Sequence, residues 1–185
     1  MKKKRKTFRN LILLLVLLLL MFGAYLLYTR VFPMEHEGLV ESYAEEYQVD
    51  PYLVHALIHT ESRYQEDAVS PAGAMGLMQI TEDTGQFIAK RLNLTDFKTE
   101  DLLDPETNIR MGIYYLSYLE ESFSLKETRL AAYNAGPNRV KEWLLDESLS
   151  DGEVLTDIPF EETRNYVERV TFREKIYRIL YFFKG

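Results

Sequence analysis

Apolar residues recur every three to four positions through most of this chain, which is the spacing that lines one face of an α-helix. The clearest stripe runs from Ile109 to Phe123, and the preceding Asp104-Pro105 pair provides an N-cap and a proline at the first helical position. No segment shows the sustained two-residue alternation of a half-buried strand. Helices are predicted at 39–47, 51–63, 82–92, 105–123, 125–134, 138–144 and 160–183. The pattern therefore predicts an all-α domain that begins near residue 39.

The first thirty residues have a different pattern, in which a basic cluster precedes an unbroken apolar run at 11–28. Its eighteen residues, at ~1.5 Å of helical rise each, span about 27 Å, close to the hydrocarbon thickness of a bilayer. A cleaved secretory signal is the alternative, although its apolar core is usually only ~7–15 residues long and 23–25 is a poor cleavage site. The positive-inside rule predicts a cytoplasmic basic tail at 1–10, a transmembrane signal anchor at 11–28, a tether at 29–38 and an extracytoplasmic domain at 39–185.

Composition and charge exclude several classes of protein. The 185 residues are 46% hydrophobic, as in globular proteins, and contain no cysteine, so disulfides, thiolate metal sites and cysteine nucleophiles are excluded. The net charge of −7 is uneven, because residues 1–30 carry seven Lys or Arg and no acid, while the rest of the chain has a net charge of −14. Such an acidic body argues against a nucleic acid as partner, since proteins bind phosphate backbones through Lys and Arg.

One glutamate lies on the apolar face of its predicted helix. With residues ~100° apart around the helix that begins at Pro51, Glu61 projects between Leu57 and Ile58. An ionised carboxylate is costly among apolar side chains, so the pKa of Glu61 should rise, and the residue could then donate a proton near neutral pH. A structural glutamate that pairs with an arginine or with backbone amides would have the same pattern. Helix geometry alone leaves both interpretations open.

His55 and His59 are four residues apart, a spacing found among helical metal ligands, but they lie on the face opposite Glu61. The only other histidine is His36, and a zinc site usually needs three or four ligands. We therefore expect no metal, and the sequence predicts no other cofactor.

Four short motifs follow one another along the predicted domain. They are Glu61-Ser62, Ser70-Pro71-Ala72-Gly73-Ala74-Met75-Gly76-Leu77-Met78-Gln79, Ala132-Tyr133-Asn134-Ala135-Gly136 and Glu162-Thr163-Arg164-Asn165-Tyr166-Val167. They resemble the motifs of the soluble lytic murein transglycosylase family, occur in that family's order and cover essentially the whole predicted domain. The family has a lysozyme-like α-helical fold and cleaves the glycan strands of peptidoglycan. The resemblance implies a lysozyme-like transglycosylase domain preceded by a single N-terminal transmembrane helix.

The resemblance also implies roles for five residues. Glu61 would be the catalytic acid and base, and Ser70 would contact the N-acetyl group of the muramic acid residue. Gln79 would line the cleft. Tyr133 would sit across from Glu61 with its hydroxyl near the reacting sugar, and Asn134 would help to fix that corner.

The implied reaction uses one carboxylate and no water, and the enzyme is therefore a lyase. Glu61 protonates the oxygen between N-acetylmuramic acid and N-acetylglucosamine, the substrate's own N-acetyl carbonyl attacks the anomeric carbon, and the glutamate then takes the proton of the C6 hydroxyl. The implied partners are peptidoglycan strands and the membrane, and the sequence identifies no protein partner.

Two alternatives remain open at this point. A lysozyme-type hydrolase would need a second carboxylate or a positioned water, and a non-catalytic peptidoglycan-binding domain would need no proton donor. Four acids lie near Glu61 in the sequence, in polar surroundings that favour a solvated rim: Glu66, Asp67, Glu82 and Asp83.

Overall fold

The structure is a computed structural model that describes residues 2–182, and these fall into two compact units, one ending at Met34 and the other beginning at Glu35. The first unit contains α1 (Lys2–Val31). The second contains α2 (Glu37–Tyr47), α3 (Pro51–Glu61), α4 (Glu82–Arg91), a 3₁₀ helix (Thr99–Leu103), α5 (Pro105–Glu120), α6 (Lys126–Ala135), α7 (Pro137–Leu144) and α8 (Glu161–Leu180). Residues 2–182 form isolated β-bridges but no strand, so the predicted all-α fold class is confirmed.

The long apolar segment lies in α1. Residues Lys6–Val31 form a 26-residue stretch whose most apolar 18-residue window has a mean hydropathy of 2.8, so the helix is long and apolar enough to cross a membrane. A signal sequence has the same two properties. The helix extends beyond the predicted span of 11–28 at both ends, and it stops two residues before Pro33, a residue type that disfavours helical conformation in its predecessor.

Capping side chains begin three helices of the second unit where the sequence predicts them. The Asp50 carboxylate accepts a 2.8 Å hydrogen bond from the Tyr52 N–H, and Asp104 accepts one of 2.8 Å from the Thr107 N–H. Thr81 caps α4 in the same way. Each cap satisfies an N–H that has no partner within its own helix.

Several helix ends differ from the prediction. The third helix ends at Glu61 rather than at Arg63, because Arg63 and Tyr64 adopt positive φ values of 53° and 64°, a left-handed conformation that terminates a helix. The fifth ends at Glu120, and Phe123 is buried from the turn that follows. The 3₁₀ helix was not predicted.

The end of α8 bears on two boundaries. The helix begins at Glu161 and ends at Leu180, whereas the prediction continued it to Phe183. Residue 183 and the last residues of the predicted domain, through 185, lie outside the described part of the chain.

The core of the second unit is formed around α5 and α8. Helices α3 and α6 pack against α8, and α2 packs against α5. Leu57, Ile58, Met78, Leu116 and Tyr177 have no exposed surface. The C-terminal end of α3, where Glu61 lies, is therefore held against α8.

Candidate active site

Glu61 is the last residue of α3 and lies half-buried beside Tyr166 of α8. The Tyr166 hydroxyl donates a 2.6 Å hydrogen bond to Oε1 of Glu61. Burial raises the pKa of Glu61 to about 7, while the hydrogen bond from Tyr166 and the positive charge of Arg169 oppose this rise. Near neutral pH, this carboxyl group can therefore both donate and accept a proton.

Two further contacts hold the end of α3 against α8. Arg173 Nη1 donates a 3.0 Å hydrogen bond to Thr60 Oγ1, and the Tyr177 hydroxyl lies 3.2 Å from His59 Nδ1. Residues 59, 60 and 61 each contact α8 as a result. Helix packing, rather than a loop, thus sets the position of the Glu61 carboxyl group.

Ser70 lies in a tight turn of the segment between α3 and α4. Its N–H donates to the Ala74 carbonyl at 2.9 Å, and its Oγ accepts from the Ala74 N–H at 3.0 Å. The Gly73 N–H donates to the Ser70 carbonyl at 2.9 Å. The turn is therefore closed by two backbone hydrogen bonds and by the Ser70 hydroxyl.

Gln79 lies at the other end of this segment in a left-handed backbone conformation, with φ of 49°. Its side-chain Nε2 donates to the carbonyl oxygens of Gly76 at 2.9 Å and Ala68 at 3.1 Å. These two bonds fix the orientation of the amide, so that its Oε1 is the atom left to contact a ligand.

The buried side chain of Asn108, on α5, anchors this segment. Its Oδ1 accepts from the Met78 N–H at 2.7 Å, and its Nδ2 donates to the carbonyls of Met75 at 2.9 Å and Leu102 at 2.7 Å. Gly76 has a φ of 73°, and a Cβ at this position would lie 2.2 Å from the Leu102 carbonyl oxygen. Only glycine fits there.

Two cavities share Gln79 as a lining residue. The first has a volume of about 500 Å³ and is lined by Glu61, Ser70 and Gln79, among others. The second has a volume of about 280 Å³ and is lined by Gln79, Tyr133 and Asn134, among others. The structure therefore brings the first three predicted site residues together and places the other two in the neighbouring cavity.

The Tyr133 hydroxyl donates a 2.9 Å hydrogen bond to the Met78 carbonyl. Burial raises the pKa of Tyr133 well above its ordinary value, and the negative charge of Glu61 contributes to this rise. The phenol is therefore protonated, and its proton points at Met78. Asn134 is exposed. Sugar contacts of Ser70, Gln79, Tyr133 and Asn134 stay predictions.

Tyr166 is the residue of this site that sequence reasoning missed. It belongs to the motif at 162–167, but it is 105 positions away from Glu61, and no local pattern indicates which side chain of α8 reaches the carboxylate. The motif itself was the available signal.

His55 and His59 take part in a network of ring hydroxyls. The Tyr64 hydroxyl lies 2.7 Å from His55 Nδ1 and 3.4 Å from the Tyr177 hydroxyl, which in turn contacts His59. Burial, together with the positive charges of Arg173 and Arg63, lowers the pKa of His59 to about 4, so its ring is neutral at pH 7. Within residues 2–182, no group of three or more His, Cys, Asp or Glu side chains is placed to hold a metal ion.

A family model described as the transglycosylase SLT domain matches residues 38–154 of this chain. Over 151 residues the chain is 35% identical to the soluble lytic murein transglycosylase of Escherichia coli K12. The aligned region covers 80% of this chain and 23% of that protein. Over 164 residues it is 29% identical to membrane-bound lytic murein transglycosylase C of Klebsiella pneumoniae. This aligned region covers 76% of this chain and 46% of that protein.

Solved structures show the same similarity. The 70 kDa soluble lytic transglycosylase of Escherichia coli matches with a TM-score of 0.74 at 34% identity, over 85% of this chain and 26% of that chain. An inactive mutant of the lytic transglycosylase Slt from Pseudomonas aeruginosa matches with a TM-score of 0.71 at 35% identity, over 80% of this chain and 24% of that chain. The chain spans about a quarter of the length of these soluble relatives.

Proposed function

This chain belongs to the transglycosylase SLT family, and from this membership and the geometry around Glu61 we propose that it is a peptidoglycan lytic transglycosylase. It cleaves the β-1,4 bond between N-acetylmuramic acid and N-acetylglucosamine without water and leaves 1,6-anhydromuramic ends. The observation that carries the proposal is the half-buried Glu61 carboxyl, whose pKa of about 7 suits an acid and base, in a cavity shared with Ser70 and Gln79.

In the proposed reaction, one carboxyl group serves two steps. Protonated Glu61 first gives its proton to the oxygen of the leaving N-acetylglucosamine, while the N-acetyl carbonyl oxygen of muramic acid bonds to the anomeric carbon. The Glu61 carboxylate then removes the proton of the muramic C6 hydroxyl, and the C6 oxygen displaces the N-acetyl oxygen from the anomeric carbon. Glu61 is again protonated at the end, so the cycle balances without water.

Tyr166 acts on this chemistry through the carboxyl group. Its hydroxyl donates to Oε1, so Oε2 is the oxygen left to carry the transferred proton. The same bond favours the ionised form, which keeps the pKa near 7 instead of higher. We assign Tyr166 as a positioning residue for Glu61.

The other four predicted residues bind the sugars in this proposal. Ser70 contacts the N-acetyl group of the muramic acid residue, and Gln79, which lines both cavities, contacts the strand through its Oε1. Tyr133 and Asn134 line the cavity on the far side of Gln79 and contact the adjoining sugar there. A glycan strand that runs through both cavities passes all four.

The acids near Glu61 in the sequence support a one-carboxylate route. Glu66, Asp67, Glu82 and Asp83 are all exposed, and none of them lines the cavity that holds Glu61. A two-carboxylate glycosidase places its second acid about 5–9.5 Å from the first, across the scissile bond. The cavity offers no such acid from the part of the chain that the structure describes, which favours the lyase over the hydrolase.

The proposal is tested by the mass of the products. Purified peptidoglycan digested by the wild-type protein should yield muropeptides with anhydromuramic ends, lighter by one water than those from a lysozyme. Free reducing muramic ends would make the protein a hydrolase. Binding without cleavage would make it a peptidoglycan-binding domain.

We also propose that α1 anchors the chain in a membrane, with the basic tail at 1–10 in the cytoplasm and the domain that follows the tether at 29–38 outside. Two observations support this proposal: the length and hydropathy of Lys6–Val31 and the similarity to a relative described as membrane-bound.

A further inference from the structure

Three arginines lie near Glu61, at one end of the first cavity. Arg63 lines this cavity, and Arg173 donates a hydrogen bond to Thr60, another of its lining residues. Arg169 lies on α8 between Tyr166 and Arg173. These α8 positions are three and four residues apart and therefore lie on one face of the helix, the face that contacts Thr60 and Glu61.

The three charges are close enough to act on one another and on the acid. Burial lowers the pKa of Arg173, and the positive charges of Arg169 and Arg63 lower it further. The charge of Arg169 also acts on Glu61. Clustered like charges repel, so this arrangement costs stability unless an anion lies among them.

The charge of Arg169 acts on Glu61, but no carboxylate of residues 2–182, Glu61 included, forms an ion pair with these arginines. Within residues 2–182, none of the three arginines forms an ion pair, although Arg178, further along α8, pairs with Glu174 one turn before it. The positions three and four residues from Arg169 on α8 contain no acid: they are Asn165, Tyr166, Phe172 and Arg173.

The absence of pairing is notable because acids are abundant. Residues 31–185 carry 29 acidic and 15 basic side chains, so a randomly placed arginine would have acids near it. Arg63 and Arg169 are nevertheless both exposed, Arg63 as a lining residue of the cavity and Arg169 on α8 one turn after Tyr166, which contacts Glu61.

We propose that Arg63, Arg169 and Arg173 bind the carboxylates of the peptide carried by the muramic acid residue, a proposal that rests on the proposed function. Each guanidinium group presents paired N–H donors that match a carboxylate. Peptidoglycan carries short peptides with free carboxylates on the lactyl group of muramic acid. That sugar has to lie at Glu61 for cleavage, so its peptide leaves the cavity beside the arginines.

The test compares soluble glycan strands with native peptides and the same strands with their carboxyl groups converted to amides. Binding is measured with the Glu61→Gln variant, so that the measurement does not depend on turnover. We expect native strands to bind about tenfold more tightly than amidated strands, as for loss of charge-assisted hydrogen bonds. Adding Arg63→Ala and Arg169→Ala should bring this ratio close to one, and the corresponding Lys substitutions should retain part of it because they keep the charge.

Lys141→Ala with Lys175→Ala is the matched control, because both lysines are exposed and Lys175 lies nine residues from Tyr166, on the opposite side of α8. This pair removes two positive charges away from the cavity and should keep the ratio. Equal binding of both strands, or a ratio that survives loss of the two arginines, overturns the proposal. Failure of the wild type to cleave strands that bind normally would instead contradict the proposed function, so the two failures are distinguishable.

Discussion

The hydroxyl of Tyr166 donates a 2.6 Å hydrogen bond to Oε1 of Glu61 and joins two helices through residues 105 positions apart. This one contact has two physical effects. It holds the carboxyl group in one orientation at the cavity, and it offsets part of the rise in pKa that burial imposes on Glu61. Burial thus favours the protonated form of Glu61 and the hydrogen bond from Tyr166 favours the ionised form, so that both forms are available near neutral pH.

Tyr166→Phe should raise the pKa of Glu61, because it removes a donor that favours the ionised carboxylate. The proposed reaction starts from protonated Glu61, so activity falls as the pH rises through this pKa. The alkaline limb of the pH profile of kcat/KM should therefore move to higher pH in the variant. Tyr114→Phe, at a half-buried ring on α5, is the control and should leave the limb in place. An unmoved limb in Tyr166→Phe would contradict the positioning role.

Glu61→Gln should abolish most of the activity while the fold persists. Glutamine has the same size but cannot transfer a proton to the leaving oxygen or take one from C6. General acid–base assistance contributes ~10²–10⁴-fold per step, and one residue serves both steps here. Product formation from purified peptidoglycan measures the loss, with Glu168→Gln, at an exposed position of α8, as the control. Comparable activity in Glu61→Gln would remove this residue from the mechanism.

The same substitution should change the pH dependence of stability. The pKa of Glu61 rises from an ordinary value of 4.5 to about 7 in the folded protein. Protonated Glu61 therefore contributes fully to the stability of the wild type below pH 4.5, and this contribution is lost as the pH rises through about 7. The thermal midpoint of Glu61→Gln relative to the wild type should be higher at pH 8 than at pH 4. A difference that is independent of pH would show that the group is not perturbed.

Gly76→Ala should destabilise the protein far more than Gly152→Ala. Both glycines have positive φ, of 73° and 97°, so both substitutions strain the backbone. A Cβ at Gly76 also meets the Leu102 carbonyl and the Asn108 side chain, whereas a Cβ at Gly152 meets nothing within 4 Å. We expect a difference of at least about 2 kcal/mol in the free energy of unfolding, measured in urea. Equal losses would mean that the segment relaxes away from Asn108.

Removing α1 and the tether should leave a folded and active domain, because the described residues from Glu35 onward form one compact unit. A chain that begins at Gly38 should show helical circular dichroism and cleave peptidoglycan in solution.

The full chain should remain in the membrane fraction at its intact mass. A soluble product that begins between residues 25 and 32 would show instead that the N-terminal segment is a cleaved signal.

Helix starts were predictable because a cap acts within its own turn, as Asp50, Thr81 and Asp104 do. The end of α3 was not, because it depends on the left-handed residues Arg63 and Tyr64, which have no local signature.

The candidate site likewise has features that follow from the local sequence and features that depend on contacts between distant residues. The position of Glu61 on an apolar face follows from helical periodicity, and so does the direction of its pKa shift. Its partners Tyr166 and Arg169 depend on how α3 packs against α8, and the anchoring of the Ser70–Gln79 segment depends on Asn108 of α5. These are contacts between residues distant in the sequence, which no local pattern encodes.

In the proposed reaction Glu61 closes the anhydro ring without water, and isotope labelling distinguishes this route from attack by water. Peptidoglycan is digested by the wild-type protein in water enriched in ¹⁸O, and the new muramic ends are analysed by mass spectrometry. We expect anhydromuramic ends that contain no label, because their ring oxygen comes from the substrate's own C6 hydroxyl. Muramic ends that carry one labelled oxygen for each bond cleaved would contradict this expectation and show that water attacks the anomeric carbon.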